Sequence, residues 1–140
     1  MSEIDYVTPL TERQAGKLPG YLGLQWREAR KGFLHGFFAV AEHHMAPNGF
    51  MHAGSVVTLA DSARGYGCFI SLPEGGTGFT TVELKTNFLG TAKLGEIVST
   101  QARLAHGGRT TQVWDAEVKN ETSGKTIALF RCTQMVLYPK

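Results

Sequence analysis

The chain has 140 residues, 42% apolar and 19% charged, with a net charge of +2. That length is enough for one domain with a real core, so residues 1–140 are read as one unit. The small net charge argues against a nucleic-acid groove or a polybasic membrane patch.

The first residues carry Glu3, Asp5 and Glu12 and lack an apolar run, so they do not read as a secretory signal. Residues 1–20 form an N-terminal helical segment. Its helix is expected from Thr8 to about Lys17, capped by Thr8 or Thr11 and stopped by Pro19-Gly20. Tyr21 to Arg30 alternates through Leu22, Leu24 and Trp26 as a strand would, and Lys31-Gly32 is a turn. Phe33 to His43 is a second strand, in which Gly36 marks a bulge or a close backbone approach.

Ala46 to Leu72 organises the chain. It opens as a loop at Pro47 and Asn48-Gly49, then runs about twenty residues without proline, apolar on nearly every face. Such a helix belongs in a core. It carries Asp61 and Arg64, so it does not read as a membrane span. After the loop Pro73–Gly76 come four strands, over Phe79–Leu89, Glu96–Ala105, Thr110–Lys119 and Lys125–Tyr138, separated by glycine-containing turns. The fold class is therefore α+β, an antiparallel sheet of about six strands curled around one long helix. The outer side of that helix needs a cover, and a second copy of the chain is the simplest one.

Asp61 stands out because a mid-helix carboxylate is costly to bury unpaired. It is either half of an i,i+3 ion pair with Arg64 or a group held for chemistry. The helix opens with His52-Ala53-Gly54-Ser55, small residues that leave the N–H groups of Ala53 and Gly54 approachable, as an oxyanion hole requires. Alternatively Ser55 only caps the helix there. His52 is a hydrogen-bonding partner in a site or merely a residue of the first turn. Asp61 lies nine residues beyond His52, about 13 Å by helical rise. One chain therefore cannot readily bring both to one substrate atom, whereas two antiparallel helices across a dimer axis can.

His43-His44 lacks a third ligand at suitable spacing, and no metal site is expected. Gly107-Gly108 reads as a hairpin turn, since neither GxGxxG nor the Walker pattern is present. There is no GxSxG nucleophile elbow. Cys68 and Cys132 fall in apolar surroundings and read as buried thiols of a cytoplasmic protein.

Asn48-Gly49-Phe50-Met51-His52-Ala53-Gly54-Ser55 with Thr58-Leu59-Ala60-Asp61 resembles the hotdog-fold acyl-CoA thioesterases of the phenylacetate-degradation (PaaI-like) type. Asn87–Gly90, Ala92–Glu96, Gly107–Thr110 and Ala128–Arg131 extend the resemblance over about residues 20 to 138. It implies a sheet wrapped around the helix like a bun, with two chains forming a continuous sheet and dimers often pairing into tetramers. It implies that Asp61 is the nucleophile or the general base on water, that the Ala53 N–H polarises the thioester carbonyl, and that Thr81 supports the attacking water. Two positions differ. Where the family has His-Gly-Gly the chain has His52-Ala53-Gly54. Where the family places Asn or Gln the chain has Ala46, with Asn48 nearby as a substitute.

The function expected is hydrolysis of an aryl- or medium-chain acyl-CoA, with coenzyme A part of the substrate and no separate cofactor. Phe50, Met51, Tyr66, Phe69 and Phe88 are candidates to line the acyl cavity, and Arg103, Arg109, Lys93 and Arg131 to meet the coenzyme A phosphates. A hydratase or dehydratase on the same fold and a non-catalytic acyl-CoA-binding protein are the alternatives.

Overall fold

The computed structural model describes residues 4–140, so the very start of the N-terminal segment lies outside the described residues. Two short helices, α1 (Val7–Arg13) and α2 (Leu18–Tyr21), precede strands β1 (Gln25–Arg30) and β2 (Phe33–Ala39). Next come a 3-10 turn at Glu42–His44, the long helix α3 (Ala53–Ile70), and strands β3 (Gly78–Phe88), β4 (Ile97–Gly107), β5 (Thr111–Asn120) and β6 (Thr126–Leu137). The strands form one antiparallel sheet in the order β1-β2-β4-β5-β6-β3.

The strand alternation of the sequence is the alternation of burial. On β5, Gln112, Trp114, Ala116 and Val118 are buried while the residues between them are partly exposed. On β4, Val98, Thr100 and Ala102 face the same core. The pairing slips register at Trp26/Glu28, Thr81/Glu83, Leu104/His106 and Val118/Lys119. Each slip adds local twist and bends its strand, which suits a sheet that must curl.

Helix α3 lies on the concave face. Its buried residues are Ser55, Val56, Leu59, Ala60, Ala63, Arg64, Gly67 and Cys68, a stripe at helical spacing. The stripe is narrow because most of these side chains are small, so the helix axis sits close to the sheet. At Gly67 a Cβ would lie 2.5 Å from Cη2 of Trp114, the largest wholly buried side chain. Both helix ends are tied down, the first to the 3-10 turn and the second to the β1–β2 turn and β5. The His44 carbonyl accepts from the His52 N–H at 2.9 Å and from Ser55 Oγ at 3.0 Å. At the far end Ser71 Oγ accepts from the Gly32 N–H at 2.8 Å, and the Ser71 carbonyl accepts from Gln112 Nε2 at 3.0 Å.

Several local expectations are corrected. Helix α1 ends at Arg13 rather than Lys17, and neither Thr8 nor Thr11 caps it. Asp5 Oδ1 accepts instead from the N–H groups of Val7 and Thr8 at 3.0 and 3.2 Å. Pro19-Gly20 does not stop a helix but lies within α2, with proline in the first turn, where its missing N–H costs nothing. The first strand accordingly starts at Gln25, not Tyr21. The second ends at Ala39, because the chain bends into the 3-10 turn that buries His44. Gly36 makes the close approach, with a Cβ only 2.4 Å from the Trp26 ring, while the bulge falls on the facing strand. The greatest departure concerns the charges on α3. The helix is open along the side expected to need a cover, so Asp61 is half-exposed, with its side chain 38% accessible, and Arg64 at 3% is the buried charge.

Both cysteines are buried and unpaired, and burial pushes the Cys68 thiol up to about 11. A thiol with that value is neutral at pH 8 and a poor nucleophile. The folded protein should therefore give no fast reaction with a disulfide reagent at pH 8, and two thiols per chain should appear only in denaturant. Gly67→Ala should lower stability by about 1–3 kcal/mol in a urea titration, despite the better helix propensity of alanine.

Candidate active site

The N-terminus of α3 is built by its neighbours. The His44 ring is locked, with Nδ1 accepting from the Ala41 N–H at 2.9 Å and Nε2 donating to the Leu22 carbonyl at 2.6 Å. Phe38 stacks on it at 4.2 Å. Both ring nitrogens are thus committed, and burial holds the imidazole below its ordinary pKa. His44 serves as a post whose carbonyl fixes the start of α3. Ser55 is bonded to that carbonyl and is not the cap. The cap is His52, whose Nδ1 accepts from the Gly54 N–H at 2.8 Å, which leaves the ring proton on Nε2. A Cβ at Gly54 would sit 2.9 Å from that same Nδ1, so glycine is what lets the imidazole close over the turn.

The two proposed oxyanion donors are thereby distinguished. The Gly54 N–H is taken by His52. The Ala53 N–H, at the first helical position, meets no acceptor among the described residues. Asn48 and Phe50 lie just upstream, where Asn48 Oδ1 accepts from the Phe50 N–H at 3.1 Å and closes a turn. Phe50 is exposed, as are Phe88 and Leu89, while Met51 is buried in the core.

Further along α3, Asp61 borders a cavity of about 380 Å³. The groove follows the open side of the helix past Ser62, Gly65 and Tyr66 to Phe69, with Phe79 and Thr81 of β3 opposite. Leu10, Arg13 and Pro19 of the N-terminal segment close it. From Asp61 to Phe69 is about 12 Å by helical rise. Gly65 forms the floor: a Cβ there would meet only Phe79 Cζ, at 3.9 Å. Arg13 lies over the Phe69 ring at 5.2 Å. Of the expected lining residues, Tyr66 and Phe69 take part and Phe50, Met51 and Phe88 do not.

Asp61 and Arg64 are in direct contact, Nη2 donating to Oδ1. The ion-pair reading of Asp61 is therefore correct. It does not displace the functional reading, because the carboxylate still borders the cavity. Its second oxygen, Oδ2, has no partner among the described residues.

One wall depends on a residue that local sequence gave no reason to single out. Gln14 is buried. Its Nε2 donates to the Leu24 carbonyl at 2.6 Å, and its Oε1 accepts from Trp26 Nε1 at 2.9 Å and from Tyr66 Oη at 3.2 Å. Trp26 and Tyr66 also meet edge to face at 5.2 Å. Leu10 and Gln14, one helical turn apart and both inward, are the only hint in the sequence.

A larger concavity of about 540 Å³ lies on the outer face of the sheet between Lys85, Arg103, Asp115 and Arg131. Arg131 is held there by Asp115 at 2.5 and 2.7 Å. Arg103 lies over Phe33 and donates to Gln101. Arg109 sits at the β4–β5 turn beside the Tyr138 ring, away from the Asp61 groove. Among the described residues no helix is long and apolar enough to cross a membrane.

Residues 48–127 match the family model described as "Thioesterase superfamily". The chain is 30% identical over 112 residues to a 1,4-dihydroxy-2-naphthoyl-CoA hydrolase of Listeria monocytogenes, covering 80% of this chain and 89% of the relative. It is 28% identical over 110 residues to the acyl-coenzyme A thioesterase PaaI of Escherichia coli, covering 79% and 75%. Among solved structures, a mutant thioesterase from Pseudomonas aeruginosa superposes with a TM-score of 0.88 at 25% identity, over 96% of both chains. The six-stranded sheet around α3 and these likenesses agree: the chain belongs to the thioesterase superfamily, as a PaaI-like hotdog-fold thioester hydrolase.

Proposed function

We propose that the protein hydrolyses an aryl- or medium-chain acyl-CoA to the free acid and coenzyme A, with Asp61 as nucleophile or general base. The observation that carries this reading is the place of Asp61: a half-exposed carboxylate with one oxygen free, at the end of a mostly apolar groove on the open side of α3. The groove volume falls within the ordinary range for small-molecule sites, about 300–1,000 Å³. Tyr66, Phe69 and Phe79 offer aromatic walls to the acyl group.

As nucleophile, Asp61 would add to the thioester carbonyl and expel the coenzyme A thiolate, leaving a mixed anhydride for water to open. As base, it would take a proton from water as that water adds to the carbonyl. Thr81 lines the same groove and is the residue assigned to hold that water. In either route negative charge develops on the carbonyl oxygen. The unpaired Ala53 N–H, reinforced by the helix dipole, is the donor assigned to it.

Ala53 and Asp61 of one helix are about 12 Å apart by rise, so the two groups come from different copies of the chain. Strand β3 supports that assembly. It is an edge strand of 11 residues whose exposed side chains include Val82, Leu84 and Phe88. An edge of this kind calls for a partner. A dimer, or a dimer of dimers, joined through β3 with antiparallel α3 helices gives two equivalent sites. Lys93 and Arg109, exposed and free of carboxylate partners among the described residues, are the cations assigned to the coenzyme A phosphates.

A thiol-release assay over a panel of acyl-CoAs tests the activity. Asp61→Asn should fold and lose about 10²- to 10⁴-fold in kcat; turnover within a few-fold of the parent would reject its role. Ala53→Pro removes only the N–H in question. Proline is favoured at the first helical position, and His52 before it already has the extended backbone (φ −68°, ψ 133°) that proline requires. It should fold and lose about 10²- to 10³-fold. Refolding the two inactive variants together should restore about a quarter of parental activity, since half the random dimers carry one intact site of two. A mixture that stays inactive would place both groups in one chain's site or neither in it.

Gly65→Leu should leave melting unchanged or higher. It should cut kcat/KM for octanoyl- or phenylacetyl-CoA at least about tenfold relative to acetyl-CoA. Equal losses for all acyl lengths would place the acyl group elsewhere.

A further inference from the structure

We propose that Arg64 is a positioning residue for the catalytic carboxylate: buried on the sheet side of α3, it holds Asp61 Oδ1 and so presents Oδ2 to the groove. This rests on the reading of Asp61 given above and goes beyond it by naming what aims that side chain.

Arg64 lies on the buried stripe, with only 3% of its side chain accessible. Small neighbours, Ala60, Ala63, Gly67 and Cys68, leave room for it against the sheet. Its guanidinium stands 5.6 Å from the centre of the Phe79 ring, and Arg64, though almost wholly buried, borders the groove beside Asp61 and Phe79. Among the described residues Asp61 is the one carboxylate it pairs with, and its Nε–H is buried without any acceptor. Removing a guanidinium from water at such a place is costly. An aliphatic side chain of similar length would fill the space at no such cost, and buried ion pairs exchanged for apolar residues often gain stability. A fold seeking only stability at this position therefore has no use for arginine.

What arginine supplies is direction. Asp61 is on the open side of the helix, where a short exposed side chain would sample several rotamers. The contact from Nη2 fixes one oxygen, and a planar guanidinium backed by packing allows little play. The other oxygen then faces the cavity that Tyr66, Thr81 and Phe79 share. The gain lies in geometry at the reacting atom, so it should appear in kcat and leave substrate binding alone.

The test uses the intact oligomer and whichever of phenylacetyl-, benzoyl- and octanoyl-CoA the parent hydrolyses fastest. Arg64→Met keeps the length and loses the charge. Its kcat should fall at least about tenfold with KM within about twofold of the parent. Arg64→Lys, which keeps a cation on a flexible stem, should recover part of that loss. A kcat for Arg64→Met within twofold of the parent, a loss confined to KM, or no recovery with lysine would overturn the inference. Melting of Asp61→Asn gives a second readout that needs no substitution of Arg64. Losing its anionic partner strands the buried cation, so the midpoint should drop by more than about 5 °C, and Asp61→Asn/Arg64→Met should restore most of it. An Asp61→Asn midpoint at or above the parent's would overturn the pairing even if Arg64→Met failed to fold. If Asp61→Asn hydrolyses at the parental rate, the reading of Asp61 itself fails. If Asp61→Asn is inactive while Arg64→Met is fully active, only the role given to Arg64 fails.

Discussion

Trp114 lies against the backbone of α3 at Gly67, and much of the molecule follows from how near that brings helix to sheet. The indole has room only because position 67 lacks a Cβ. Its N–H is satisfied by Gln112, which also holds the helix's C-terminal end through Ser71. At the other end the His44 carbonyl holds His52 and Ser55. A helix seated this deep cannot roll or slide without breaking one of these ties. Its open side is held in place by the same ties, and a site needs fixed positions for the groups that meet a substrate.

The charges on α3 are arranged against first expectation. In the sequence Asp61 looks like the intruder in an apolar rod, with Arg64 as its remedy. In the fold the rod is one-sided: Arg64 bears the cost of burial and Asp61 stands at the margin of a cavity. The helix start is refined in the same way. Of two backbone donors that look equivalent in sequence, one is consumed by the His52 cap. The N-cap thus divides the labour, giving Gly54 to structure and leaving Ala53 free.

The strands were legible because their signals are local. Period-two alternation in β4 and β5 reports which side faces the core, and glycine-containing turns mark the reversals. The long helix was legible for its length and lack of proline, Asp61 for being a carboxylate in an apolar run and Ala53 for the small residues at the helix start, and the resemblance to PaaI-like enzymes gave both their roles. Less legible was whatever depends on who sits across from whom. An i,i+3 pair cannot say which partner turns inward. Pro19-Gly20 signals a stop in most contexts, and only the tight turn after Gln14 makes it a helix start. Gln14 itself earns its place from Leu24, Trp26 and Tyr66, residues 10, 12 and 52 positions away.

That glutamine joins two regions of the protein with different duties. The stretch before β1 supplies Leu10, Arg13 and Pro19 to the groove that Asp61 also lines, and its Leu22 carbonyl holds the His44 ring behind the tip of α3. It is fastened to the rest by the packing of Leu10 in the core and by the Gln14 amide, clipped to a tyrosine on the helix and a tryptophan on the first strand. On the proposed function, Leu10, Arg13 and Pro19 shape the end of the groove opposite the carboxylate, and none of them is assigned a part in the hydrolysis. Exchanging them would then change which guests fit and leave the residues assigned to cutting in place.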